Sequence, residues 1–171
     1  MTIQPIRVLG DPVLRSPADP VTSFDAALRS LVRDLLDTLT GEPGRAGVAA
    51  PQIGVPLRVF AYGTTSPSYL VNPRITARSG QQDGDEGCLS IPGLAFPTPR
   101  AFTVTATGFD EHGDPVTVTG SGLLARALQH ELDHLDGVLY IDTLTGDARR
   151  QALRAVRATF RPGSRTAEGR A

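Results

Sequence analysis

From Phe24 onward, apolar residues return every three or four positions, through Leu28, Leu31, Val32, Leu35, Leu36 and Leu39, with Arg and Asp between them. That period predicts an amphipathic helix, entered at Ser23, with its apolar stripe turned to a core. The stretch TGEPGRAG that follows is turn-forming and is expected to be a mobile loop. From Val48 to Arg78 short runs such as RVFAY and YLVNP alternate with Gly, Pro and Ser, and they read as strands. GQQDGDEG reads as a polar loop leading to CLSIP. Phe102, Val104 and Ala106 then alternate with Thr103, Thr105 and Thr107, and VTVT answers them after the turn EHGDP. This predicts a hairpin with one Thr-rich face toward water.

GLLARALQHELDHLDG reads as a helix bounded by Gly122 and Gly137. Steps of three and four residues put Leu123, Ala127, His130 and His134 on one stripe of it. A shorter amphipathic helix is expected from about Asp147 to Phe160, and the tail 161–171 is expected to be disordered. The fold class is therefore α+β: mostly antiparallel strands around a buried central helix carrying HELDH, with an N-terminal and a C-terminal amphipathic helix. Residues 1–160 are expected to form a single domain.

Composition narrows the function classes. The chain has 171 residues, 40% of them hydrophobic, which fits one globular domain with a real core. A formal charge of −1 gives no sign of a whole-surface affinity for DNA or acidic membranes. No run approaches the roughly 18 apolar residues of a membrane span, and MTIQPIRVLGDPVL lacks the pattern of a signal peptide. A soluble, cytoplasmic protein is the expectation. Cys88 is the single cysteine, so it has no partner for an internal disulfide and is a buried hydrophobe, a reactive thiol or a metal ligand.

The candidate chemistry lies in LQHELDH. Two histidines four apart, His130 and His134, with Glu131 directly after the first, suit a helix that holds a divalent ion and a water to be activated. Catalytic sites of this kind normally use three protein ligands and leave one position open. Downstream, Tyr140 holds the place where a longer metalloprotease pattern has its third histidine. Glu168 lies in the tail, and Asp136 and Asp142 remain available. Upstream, Cys88 in EGCLS offers a thiolate, a strong ligand for zinc or ferrous iron.

GVAAPQIG at 47–54, EGCLS at 86–90 and QHELDH at 129–134, in this order and at these separations, resemble the three signature motifs of the peptide deformylase family. The opening DPVLRSPADPV and the ending HLDGVLYIDTL resemble it too, so the likeness runs from about residue 5 to 160. Arg45 stands where the family's first motif usually begins with a glycine, and Gly44 is adjacent. The departure concerns the loop before residue 47 rather than the metal ligands.

The resemblance implies a hydrolase that removes the N-formyl group from the N-terminal methionine of newly synthesised proteins. Cys88, His130 and His134 would hold one divalent metal ion per chain, with water as the nucleophile in the fourth position. Ferrous iron is the ion the family often uses, and zinc, nickel or cobalt suit the same ligands. Glu131 would be the general base, and the Gln52 amide and the Leu89 backbone N–H would face the oxyanion. Gly47, Val48, Leu123 and Ala127 would line the substrate's path, with Glu86 and Arg100 paired behind the ligands.

Seven arginines between Asp147 and Ala171 make a contact with ribosomal RNA a further expectation for an enzyme of nascent chains, against the plainer reading of a solvated helix face. Two other classes share part of this pattern. A general metallopeptidase predicts cleavage inside unformylated peptides and indifference to Cys88→Ala. A non-catalytic formyl-peptide-binding protein predicts metal binding without turnover.

Overall fold

The computed structural model describes residues 2–160. The expectations for the tail, with Arg161, Arg165 and Arg170, lie outside the described residues. Helix α1 (Ala26–Thr40) is followed by β1 (Gly47–Ala49), β2 (Val59–Tyr62) and β3 (Ser68–Ser79). Next come β4 (Asp85–Cys88), β5 (Ile91–Pro97), β6 (Thr103–Phe109) and β7 (Pro115–Ser121), and then α2 (Leu123–Leu135), α3 (Tyr140–Thr143) and α4 (Gly146–Thr159). A mixed α+β fold is what the chain adopts. Its five-stranded sheet has the order β1-β2-β3-β6-β7, and β4 and β5 form a separate two-stranded sheet. Every strand pairing is antiparallel.

Strand alternation divides the core between two helices. Along β2, Val59 and Ala61 join the cluster under α1 with Leu28, Leu31, Val32 and Leu35, while Phe60 and Tyr62 turn to the α2 side. The same alternation acts on β1, where Val48 faces the α1 cluster and Ala49 the α2 cluster. All four residues of β2 are consequently buried, as a strand covered on both faces must be. A third cluster, built on Ile91, Leu139, Tyr140 and Ile141, fills the space between β5 and helices α3 and α4.

Three local details differ from the sequence reading. Helix α1 starts at Ala26 behind Asp25, not at Ser23: the Asp25 carboxylate accepts the backbone N–H of Ala27 at 2.9 Å and of Leu28 at 3.1 Å. An aspartate accepts from these otherwise unpaired helical N–H donors as well as serine does and adds a charge that favours the helix start. The polar stretch before CLSIP is not all loop, because Asp85, Glu86 and Gly87 belong to β4. Phe102 lies outside the β6–β7 hairpin and is 48% exposed, whereas Val104 and Ala106 are buried and Thr103, Thr105 and Thr107 take the outer face. Helix α2 ends at Leu135, and Gly137 beyond it, at a φ of +72°, lets the chain reverse against the backbone of Arg15.

Candidate metal centre and its cavity

His130 and His134, one turn apart on α2, bring their Nε2 atoms to 3.2 Å of each other. Cys88, the last residue of β4, places its Sγ 3.3 Å from His134 Nε2. These three donor atoms lie within 4.8 Å of one another, and among the described residues no other group of His, Cys, Asp or Glu converges in this way. Asp136 instead pairs with Arg58, and Asp142 with Arg15 and the backbone N–H of Leu139. Neither carboxylate reaches the histidines.

The donor set fits a divalent transition ion. His130 Nδ1 is 2.6 Å from Glu86 Oε1, which fixes the proton on Nδ1 and turns the Nε2 lone pair toward Cys88 and His134. Lone pairs that close repel unless a proton or a cation lies among them. Burial opposes charge on His130, yet the Cys88 thiol and the Glu86 carboxylate draw it well above the usual imidazole range. Burial keeps His134 well below that range, hence neutral. A cluster that pulls positive charge inward and offers one sulfur and two imidazole nitrogens suits zinc or ferrous iron.

Glu86 is held on all sides. Arg100 grips it with Nη2 on Oε1 at 2.6 Å and Nε on Oε2 at 2.9 Å, and Arg126 Nη1 donates to Oε2 at 2.8 Å. Burial alone would raise its pKa, but the hydrogen bonds from Arg100 and His130 bring it down to about 2. Arg100 also reaches Asp133 Oδ2 at 2.7 Å, and Arg126 reaches the Thr98 carbonyl at 2.8 Å. The pairing of Glu86 with Arg100 is thus one edge of a buried network. The sequence reading missed Arg126 and Asp133, although the four-residue row 126, 130, 134 carried a signal for the first.

Beside the ion site opens a cavity of about 660 Å³, lined by Gly47, Gln52, Cys88, Leu89, Leu123, Ala127, His130 and Glu131 among others. Glu131 Oε2 is buried without a hydrogen-bond partner. Burial pushes this carboxyl up to about 7 against the pull of His130, a shift that a nearby dication opposes. Gln52, in a 3-10 turn (Ala50–Ile53), accepts the Ala49 N–H with Oε1 at 2.9 Å. Its Nε2 lies 3.2 Å from Ser90 Oγ and 3.6 Å from Cys88 Sγ. Ser90, whose N–H points at Cys88 Sγ from 3.4 Å, is a further residue that the sequence reading missed.

One wall residue differs from its expected setting. Val48 is fully buried in the α1 cluster and its side chain does not line the cavity, because the alternation of β1 turns it away from α2. Leu123, 59% exposed at the start of α2, is among the residues that line the cavity. Arg45, at the cavity's edge, folds back to donate to the Thr38 carbonyl and pairs with Glu42 at 2.9 Å.

The family model for polypeptide deformylase matches residues 3–150. The chain is 56% identical over 158 residues to a peptide deformylase of Acidothermus cellulolyticus, covering 92% of this chain and 87% of that one. A peptide deformylase of Dehalococcoides mccartyi is 44% identical over 150 residues, covering 86% and 89%. Among solved structures, peptide deformylase from Legionella pneumophila matches with a TM-score of 0.85 and 39% identity, over 96% of this chain and 99% of that one. That of Thermus thermophilus matches with a TM-score of 0.85 and 42% identity, over 91% and 94%. With likeness of this extent in both sequence and fold, the chain belongs to the polypeptide deformylase family.

Proposed function

We propose that this protein is a metal-dependent amide hydrolase that removes the formyl group from N-formyl-methionyl ends of new polypeptides, releasing formate. The observation that carries this reading is the convergence of Cys88, His130 and His134 beside the unpaired Glu131 oxygen at a cavity wall. Residues 1–160 act as one catalytic domain.

Cys88 Sγ, His130 Nε2 and His134 Nε2 would hold a divalent ion, which would supply Lewis acidity to the reacting carbonyl and water. Ferrous iron is the native choice in this proposal, with zinc, nickel and cobalt as functional substitutes. Glu131 accepts a proton from the attacking water and later delivers it to the departing amine, a poor leaving group unless protonated. The water oxygen bonds to the formyl carbon, the C–N bond breaks, and formate and a free amino terminus result. Gln52 Nε2 and the Leu89 N–H donate to the oxygen on which negative charge develops. Glu86, gripped by Arg100, holds His130 in its ligand tautomer.

The methionine side chain enters the apolar wall formed by Leu123 and Ala127, with Gly47 opposite. Nascent chains are the physiological substrate, which places the enzyme in the cytoplasm. Among the described residues no helix is long and apolar enough to cross a membrane. Exposed Arg150, Arg154 and Arg157 on α4 give a basic stripe for weak ribosome contact. Salt-sensitive cosedimentation that disappears on truncation after Thr145 is the expected behaviour. Absence of binding at every salt concentration removes the ribosome contact.

The decisive assay follows formate release by anaerobically purified protein from N-formyl-Met-Ala-Ser, with Met-Ala-Ser as control and metal analysis alongside. Formate from the formylated peptide alone, lost in Glu131→Ala, is expected. Cleavage inside the unformylated peptide favours a general metallopeptidase, and metal binding without turnover favours a binding protein.

A further inference from the structure

We infer that Tyr140 is a positioning residue for the peptide substrate, acting through the wall strand β5 rather than on the reacting atoms. The inference rests on the deformylase reading of the cavity.

Strand β5 is not a regular partner of β4. Gly87 pairs with Ala95 and Cys88 with Ile91, so Pro92, Gly93 and Leu94 stand opposite no residue of β4. A bulge of this kind bends a strand and re-aims its groups. The bulged residues line the cavity, on the strand that continues from Cys88 and Leu89. Pro92 has no N–H to offer a neighbour, and Gly93 sits at a φ of +78° with open space around it. Both residues are exposed, so side-chain packing does not hold them.

Leu94 is where the segment is fastened. The Tyr140 hydroxyl donates to the Leu94 carbonyl at 3.1 Å. Tyr140 is itself 1% exposed, and its ring lies 6.4 Å from that of Phe96 at 28° and 6.1 Å from that of His130 at 31°. One side chain at the start of α3 thus spans the imidazole of a metal ligand and the bulged wall of the cavity. The ring sets the spacing by packing, and the hydroxyl sets the position of the bulge. A phenylalanine here keeps the first function and removes the second, which makes the two separable.

Tyr140→Phe tests the division, with kcat, KM and metal content measured on N-formyl-Met-Ala-Ser and melting temperature recorded in parallel. KM is expected to rise about three- to tenfold, the fold-change worth one neutral hydrogen bond, with kcat and metal content within about twofold of wild type. Amide exchange at Ile91 and at Gly93, Leu94 and Ala95 is expected to quicken in the same variant. Tyr140→Leu, which removes the ring as well, is expected to lose metal in addition. A Tyr140→Phe enzyme with unchanged KM overturns the inference whatever its melting temperature, and so does a parallel fall of kcat and metal content. A wild-type protein that releases no formate refutes the deformylase reading instead, so the two failures are distinct.

Discussion

The α-carbon of Gly47 lies against the side chain of Glu131: a β-carbon at Gly47 would stand 2.6 Å from Glu131 Cδ and Cγ. Glycine is required there by close approach, not by backbone conformation. Gly47→Ala is expected to push the carboxylate out of place and lower kcat about tenfold or more, within the range that a positioned general base contributes. Metal content and melting temperature should change little, because the crowded atoms are the end of one side chain. Steady-state kinetics with metal analysis checks this, and an Ala variant at full activity would place the catalytic carboxylate elsewhere.

Replacing the proposed base, Glu131, separates binding from chemistry. Glu131→Gln keeps the shape and removes the proton acceptor. Formate release is expected to fall by about 10² to 10⁴ while the ion remains bound. Single-turnover kinetics on metal-analysed protein gives the number. Loss of the ion in this variant contradicts the assignment, since Glu131 is not among the three converging donors.

Removing one ligand should act on the ion before it acts on the fold. Cys88→Ala is expected to release metal with a loss of affinity greater than the roughly 10- to 100-fold typical of an outer partner. A strong chelator should abolish activity in the wild type, and added ferrous iron or zinc should restore it. The restoration is expected to fail in Cys88→Ala. Activity that survives in that variant points to a peptidase that does not use sulfur.

The Glu86–Arg100 pair is predicted to matter through its burial. Both side chains are less than a tenth exposed, and the pair is bidentate at 2.6 and 2.9 Å. Arg100→Met leaves Glu86 and Asp133 short of a cation and is expected to destabilise the fold by about 3–5 kcal/mol. In the double variant Glu86→Gln, Arg100→Met the loss should be smaller than the sum of the two single losses, because no unpaired charge is created at residue 86. Denaturant unfolding of the four proteins measures the coupling, and strict additivity would mean that the pair is not a unit.

Elements with a strong period are readable in the sequence. Helix α1 and the β6–β7 hairpin declare themselves because each has a buried and a solvated side, which imposes a repeat of 3.6 or 2 on the residues. The His130–His134 spacing is legible for the same reason, since one helical turn brings the two rings together. Strand β4 carries no such repeat. Asp85, Glu86 and Gly87 are poor strand formers, and Glu86 is buried only because two arginines distant in sequence surround it. Val48 neighbours Gly47 in the chain and so reads as a cavity residue, but neighbours in a strand point to opposite faces. Ser90 and Arg126 act through contacts made only when the turn after β4 meets Ala50–Ile53 and when α2 meets β4.

β1 is three residues long, yet it belongs to two worlds at once. Its middle side chain anchors the scaffold under α1, and the residue before it is the backstop for the Glu131 side chain. Any loosening of that outer helix is therefore transmitted to the chemistry within a single peptide unit. On heating, turnover should fade ahead of the cooperative melting of the domain, with the first symptom felt at Glu131 rather than at the bound ion.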